Sequence, residues 1–288
     1  MKSLRLRRPM RADASLECID MSLHSPTAVA ALIGRRGVLH ALAVIGPWAM
    51  ALGVSLFIVE LPRDWPWVFA LLPLQTFLNV GLFITAHDAM HGTLVPTNPT
   101  LNRSLGRIAL WCYAFFDYDA VKREHFRHHA TPGLDDDPDY HTCERFWPWY
   151  ARFMSHYVTW RQWLGMPMAF CVMWLVVGRK PINLLTLWAA PALLSTLQLF
   201  YFGTYRPHRT PNQGHSDEHR ATTSGYSKWK SFVTCYHFGR HWEHHAYPWL
   251  PWWMLGSVTR RPLRDDGVVP NEVPSGESTG RRNLPSHR

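Results

Sequence analysis

Three histidine clusters dominate the chemistry open to this chain. The first is an HxxxH formed by His87 and His91. The second is an HxxHH formed by His125, His128 and His129. The third is another HxxHH, formed by His241, His244 and His245. Spacings of three and four residues place side chains on one helical face, so each cluster can aim two or three imidazoles at one point. Neutral imidazole nitrogen binds Fe, Zn and Cu well. One zinc ion saturates at four ligands, so eight histidines fit two metals better than one. A haem would call for single histidines within opposed spans, whereas these sit at span ends.

The elements that must position them are apolar and long. Crossing a bilayer takes ~20 mostly apolar residues. Four blocks qualify, at about 38–61, 65–86, 163–178 and 182–202, the third being short and open to extension toward its N-terminus. Pro47, Pro73, Pro167 and Pro191 fall inside them. Membrane helices tolerate such kinks because neighbouring groups re-satisfy the freed carbonyls. The tight links at 61–64 and 179–181 pair the blocks into two helical hairpins. The apolar run Ile108–Phe116 is too short to span and is either interfacial or packed under the cap.

Charge placement orients these hairpins. Lys and Arg number 7 in residues 1–37, 8 in 87–163 and 12 in 204–288, against 1 and 2 in the two short links. Cytoplasmic segments carry the Lys and Arg excess, so the three basic regions, both termini included, belong on the cytosolic side. The first cluster begins where the second block ends, with no crossing between it and the second cluster. One full hairpin separates the second cluster from the third. An even number of crossings puts all eight histidines on the cytosolic face.

Composition agrees with a membrane protein. Apolar residues make up 47% of the 288 and charged residues 18%, below the ~25% usual in soluble chains. The net charge of +9 is interspersed between apolar blocks rather than gathered in one patch. That favours an anionic membrane surface over nucleic acid, for which no motif is visible. Cys18, Cys112, Cys143, Cys171 and Cys235 form no CxxC pair and are odd in number, which argues for buried reduced thiols over a disulfide framework or thiolate zinc site. Residues 1–37 read as a basic, partly disordered cytosolic arm without a signal-peptide core. Residues 38–262 form the membrane domain. The Pro-, Gly-, Ser- and Arg-rich tail at 263–288 is expected to be disordered.

The histidine spacing resembles the membrane fatty-acid desaturase and hydroxylase superfamily, whose HxxxH and two HxxHH-type boxes surround two irons. The stretches AHDAMHGT at 86–93, DYDAVKREHFRHHATPGLDDDPD at 117–139, FGTYRPHR at 202–209 and CYHFGRHWEHHAYPWLPWW at 235–253 narrow the likeness to the bacterial β-carotene ketolases, over roughly residues 75–255. Arg240 and Trp242 depart from the residues common in that family's third box. The resemblance implies an all-α integral membrane fold with four transmembrane helices and a cytosolic helical cap. The cap would hold a histidine-rich di-iron site with two Fe2+ and O2 as co-substrate. It implies metal ligation by His87, His91, His125, His128, His129, His241, His244 and His245. A ninth ligand is His208, placed just past the last span, with His237 as the rival or as a supporting neighbour. Asp88, Asp119, Asp136 and Glu243, in or beside the boxes, are candidates to offset the metal charge or to hold the ligand rings. His24, His40, His141, His156, His215, His219 and His287 are expected to be solvated or structural. The aromatics at 111–116 and 249–253 are expected to anchor the interface or to wall a tunnel for a long polyene.

The implied activity is O2-dependent oxidation of the C4 methylene of a carotenoid β-ionone ring to a ketone. β-Carotene would give echinenone and canthaxanthin, with zeaxanthin to astaxanthin as a further case. The route is two successive hydroxylations at one carbon, then loss of water from the gem-diol. The alternatives on the same scaffold are carotenoid β-ring hydroxylation and fatty-acyl desaturation. A His-rich metal transporter fits less well, because its ligands belong near mid-span. Electrons would come from a partner such as ferredoxin, and the location would be the bacterial inner membrane, multi-pass.

Overall fold

In the computed structural model, which describes residues 25–258 apart from 179, 213 and 216, every regular element is helical. Helix α1 spans Pro26–Ile33, α2 Arg36–Ile58, α3 Trp65–Met90, α4 Pro99–Ala114, α5 Tyr118–Ala130 and α6 Phe146–Tyr157. Then come α7 Trp160–Val176, α8 Pro181–His208, α9 Lys228–Cys235, α10 His241–Ala246 and α11 Trp252–Leu255. Part of the N-terminal arm expected to be irregular is thus helical, started by Ser25 and by Pro26 at the first turn. Residues 1–24 and the tail beyond 258, with Cys18, His24 and His287, lie outside the described residues.

Among the described residues, three helices are long and apolar enough to cross a membrane: α2, α3 and α8, with 23, 26 and 28 residues. The expected block at 163–178 forms α7, which has only 17 residues, about 26 Å at ~1.5 Å per residue. Trp163, Leu164, Met168, Val172 and Leu175 of α7 are exposed, so its apolar side chains face outward.

Helix α3 is the central one, packed against α2, α4 and α8. Its buried Asn79, Thr76 and Thr85 are satisfied. Asn79 Oδ1 accepts from Trp48 Nε1 of α2 at 2.9 Å, and Thr76 and Thr85 donate to carbonyls one turn back, those of Leu72 and Gly81. Asn183 binds the start of α8 to the end of α2, donating to the carbonyls of Ser55 (2.9 Å) and Val59 (2.7 Å) and accepting from Leu61 N.

Helix α8 is irregular for a physical reason. Pro191 and Pro207 have no N–H to give to the preceding turn. A π-helical turn, Leu185–Ala189 or Phe200–Tyr205, lies just ahead of each. The second of these carries α8 past the expected end at 202 and brings His208 into the helix.

Caps fix where the shorter helices begin. Asn98 accepts from Leu101 N ahead of Pro99, and Asp117 accepts from Asp119 N and Ala120 N to start α5. Asn102 ties the intervening turn to α3, donating to Ala89 O (2.7 Å) and accepting from Val95 N (3.0 Å). Helix α4, which contains most of the apolar run at 108–116, packs on α3 and buries Asn102, Gly106, Ala109, Leu110 and Tyr113.

Candidate metal centre

Each histidine cluster falls on a helix end. His87 is in the last turn of α3 and His91 caps it. His125, His128 and His129 occupy the second half of α5. His241, His244 and His245 make up half of α10, and His208 ends α8. Close approaches let the turn before α10 seat between α3 and α8. A side chain at Gly81 would overlap the Tyr236 ring, and one at Gly203 would overlap Phe238. Tyr236 and His237 both take the left-handed conformation (φ 46° and 63°), which is costly for non-glycine residues. The turn is closed by His237 N to Ser231 O, Phe238 N to Cys235 O and Arg240 N to His237 O.

The helix ends bring the imidazoles into two groups. His87, His91, His125 and His244 form one; His128, His208, His241 and His245 form the other. Within each group, ligand-capable atoms lie within 4.8 Å of one another. His129 stands between them: its Nε2 is 2.8 Å from His244 Nε2 and its ring stacks on His245 at 4.3 Å. All nine expected histidines are therefore gathered. His237 is not among them; its ring lies against Trp252 and Gly256.

The nitrogens converge as metal ligands would. Nε2–Nε2 distances are 2.7 Å for His91–His125, 3.2 Å for His87–His244, 3.0 Å for His128–His245 and 3.1 Å for His241–His245. Two imidazole nitrogens each ~2.1 Å from one ion, at a right angle, stand ~3 Å apart. His208 donates from Nδ1 to Arg220 O at 2.9 Å, while its buried Nε2 has no hydrogen-bond partner. An orphaned lone pair in a ring of imidazoles fits a cation. Burial, reinforced by neighbouring imidazoles, holds His91, His125, His129, His241, His244 and His245 well below the usual imidazole range. Their neutral forms, the ones that bind metal, are therefore favoured.

The carboxylates differ from expectation. Asp119 faces solvent and pairs with Arg103 (2.8 Å) and Arg107 (2.6 Å). Asp136 is also exposed, its nearest cation being Arg127 at 3.8 Å. Both lie away from the imidazoles, because the residues that turn inward are Asp137 and Asp139. Asp137 Oδ1 is 2.8 Å from His128 Nδ1 and also accepts from Asp139 N, while its Oδ2 accepts from Gly133 N at 2.7 Å. Asp139 accepts from Tyr157 Oη and from Thr204 Oγ1 at 3.3 Å. Burial pushes the Asp139 carboxyl up to about 6. Burial also acts against His128 charge, yet Asp139 and Asp137 together raise it.

Asp88, buried, has Oδ1 3.6 Å from His87 Nδ1 and Oδ2 accepting from Trp252 N. Glu243 is buried on the other side of α10, where it accepts from Thr223 Oγ1 at 2.9 Å. It thereby ties α10 to the 221–224 segment.

A narrow apolar cavity opens against both groups. His125 and His128 of α5 and His241 of α10 form one wall. Phe83, Tyr113, Phe116, Phe153, Leu199 and Phe238 form most of the rest, with Asp139, Tyr157 and Thr204 as a polar corner. The expected aromatics divide accordingly: Phe116 lines the cavity, whereas Trp111 is 61% exposed. Trp252 packs on His40, Phe232 and Tyr236 instead. Asp137, Asp139, Tyr157 and Thr204 are absent from the residues expected on sequence grounds. The one local signal for the two carboxylates is the acidic run at 135–139, in which Asp135 and Asp136 face solvent while Asp137 and Asp139 are buried.

Among the described residues, all regular structure is helical, three helices are fit to cross a membrane and two four-histidine groups could each hold a metal ion, an arrangement that fits a membrane metalloprotein. The family model described as "Fatty acid desaturase" matches residues 64–168 and 156–270. A β-carotene ketolase of a Paracoccus species is 43% identical over 186 residues, covering 64% of this chain and 75% of that protein. Beta-carotene 4-ketolase 3 of Haematococcus lacustris is 38% identical over 265 residues, with 82% of each covered. Zeaxanthin 4-ketolase of Chlamydomonas reinhardtii is 40% identical over 233 residues, 76% of this chain and 52% of that protein. The chain belongs to the fatty acid desaturase family and, within it, to the β-carotene ketolases.

Proposed function

We propose that this protein is a carotenoid 4-ketolase, oxidising the C4 methylene of a β-ionone ring to a ketone at a di-iron centre. The observation that carries this reading is the aromatic cavity set against both histidine groups, in a chain similar to curated ketolases. A trimethylcyclohexene ring is apolar, and an apolar cavity with few polar groups is what binds it. Two ferrous ions, bound by His87, His91, His125, His128, His129, His208, His241, His244 and His245, would activate O2 for insertion into the allylic C–H bond.

The chain's own residues do the positioning. Asp137 fixes the His128 proton on Nδ1 and leaves Nε2 free toward the other imidazoles. The Arg220 carbonyl does the same for His208. Asp88 flanks His87, so buried carboxylates face both groups and offset cationic charge. Phe83, Phe116, Phe153 and Phe238 exclude water from the reacting ring and keep one carbon against the centre through two hydroxylations.

In the membrane, α2, α3 and α8 are three spans and α7 is the fourth, in line with its exposed apolar surface. The helix ends and short helices bearing the histidines form a cytosolic cap, with both termini on that side of a bacterial inner membrane. The positive-inside distribution of Lys and Arg supports this orientation. The carotenoid arrives from the bilayer, and an external donor such as ferredoxin supplies electrons.

Pigment analysis tests the activity. Bacterial cells that make β-carotene and express the chain should accumulate mono- and diketo products, identified by chromatography with mass analysis. Alcohols in their place would reassign the enzyme as a ring hydroxylase. Unchanged pigment with iron-loaded protein present would overturn the carotenoid assignment in favour of another lipid, such as a fatty acyl chain.

A further inference from the structure

The site is buried almost everywhere. Of the nine histidines only His91 and His129 are part-exposed. In front of His91 stands Phe126, 43% exposed, its ring centroid 5.3 Å from the His91 ring and 6.2 Å from that of His125. Around it, between α4 and α5, runs an open groove lined by Gly92, Pro96, Arg103, Asp119, Lys122 and Arg123. The Lys122 ammonium lies over the Phe126 ring at 5.3 Å. Arg107 shares Asp119 with Arg103. Three cations, Arg103, Lys122 and Arg123, thus line this groove with one carboxylate, Asp119, while Arg107 stands just outside it beside Asp117 and Arg161. Beyond it Arg127 faces Glu124 and Asp136, at 3.5 and 3.8 Å.

We propose that this groove is the docking surface for an acidic one-electron iron–sulfur carrier, and that Phe126 and His91 mark where its electrons reach the metal centre. The proposal rests on the oxygenase reading above. Each hydroxylation converts CH2, O2, two electrons and two protons into CHOH and H2O, so two reduced carriers are each oxidised by one electron per round. A carrier must therefore visit repeatedly and leave. A basic rim around an exposed aromatic suits this, because complementary charge speeds encounter without requiring tight binding. The groove also holds a short route from solvent to a histidine of the site: one aromatic ring in contact with the part-exposed ligand.

The test is binding of a purified acidic [2Fe–2S] ferredoxin to the full-length, iron-loaded protein in nanodiscs. Kd is measured at low and high salt for the wild type, the double variant Lys122→Glu/Arg123→Glu and the control Arg63→Glu. Arg63 is 70% exposed at the far end of α3, ~39 Å from the His91 end at ~1.5 Å per residue. The wild-type Kd should rise with salt. The double variant should weaken binding at least tenfold at low salt, and the control less than twofold. Phe126→Ala should slow oxidation of the reduced ferredoxin on rapid mixing. A salt-independent wild-type Kd, equal affinity in the double variant, or equal loss in the control would each overturn the surface. Ketone formation with unaltered ferredoxin binding in the double variant would sink this proposal alone. Weakened binding in the double variant, with no ketone formed by the wild type, would sink the ketolase reading alone.

Discussion

Asp137→Asn tests the centre where its support is most concentrated. Three donors converge on this buried carboxylate: His128 Nδ1 and Asp139 N on one oxygen, Gly133 N on the other. An amide keeps one oxygen. In its better orientation that oxygen faces His128 and Asp139 N, and the new NH2 meets the Gly133 N–H. A buried donor left unsatisfied costs ~1–3 kcal/mol, and the bond to His128 loses the charge that makes such contacts worth ~1.5–3 kcal/mol. Removing a carboxylate that orients a metal-bound imidazole lowers metal affinity ~10- to 100-fold, which is ~1.4 to 2.7 kcal/mol. Iron content per chain after equilibration with a graded chelator series should therefore shift by one to two decades in chelator strength. The control is Asp136→Asn, whose side chain is 85% exposed; it should hold iron as the wild type does. Wild-type iron affinity in Asp137→Asn, or an equal loss in Asp136→Asn, would refute the argument that the inward carboxylate holds His128 in place.

His208→Ala and His244→Ala should each lower bound iron and abolish ketone formation, while His237→Ala should keep both metals, since its ring lies outside both groups; iron assay beside pigment analysis decides. Tyr157→Phe removes a donor to Asp139 in the polar corner of the cavity. A ring bearing a hydroxyl next to the reacting carbon needs that corner more than a plain ring does. The ratio of product from zeaxanthin to product from β-carotene should thus fall ~10-fold, the value of one hydrogen bond of ~1.4 kcal/mol, and an unchanged ratio would remove the corner from substrate selection. Gly203→Ala should drive a methyl into Phe238, which stands 5.0 Å from His87. Such overpacking costs ~1–3 kcal/mol, visible as a lowered thermal midpoint; an unaltered midpoint would mean the α8–Phe238 contact can relax.

How much of the centre is legible in the sequence follows from the range of the interactions. Histidine spacing is a local property of a helix, so His87/His91 and the two HxxHH sets group from spacing alone. Counting four apolar blocks leads to the expectation that the clusters share one face, an expectation that depends on α7 being the fourth span. His208 is suggested only by the family resemblance, and its helix reaches it through a π-turn that no periodicity reveals. The carboxylates are less legible because their direction depends on one turn: Asp136 and Asp137 are neighbours in sequence, yet one faces solvent and the other His128. Asp119 lies close to the second box in sequence, but the same helix that aims His125 and His128 inward turns Asp119 toward Arg103 and Arg107. Tyr157 and Thr204 come from distant helices and meet only at Asp139, a contact that tertiary packing alone creates.

The two histidine groups are also unequal in their burial and in the carboxylates set against them. The group of His128, His208, His241 and His245 is wholly buried and has two buried carboxylates against it, Asp137 and Asp139. The group of His87, His91, His125 and His244 includes the part-exposed His91 and faces one, Asp88. Buried carboxylates stabilise cationic charge more strongly as water is excluded. An ion held by the His128 group would thus have more negative charge set against it than one held by the His87 group. Electrons arriving past Phe126 would meet first the group that is both nearer to solvent and less burdened with negative charge. The cavity touches both groups, through His125 on one side and His128 and His241 on the other. A ring bound in the cavity would be held where the two environments meet rather than beside either alone.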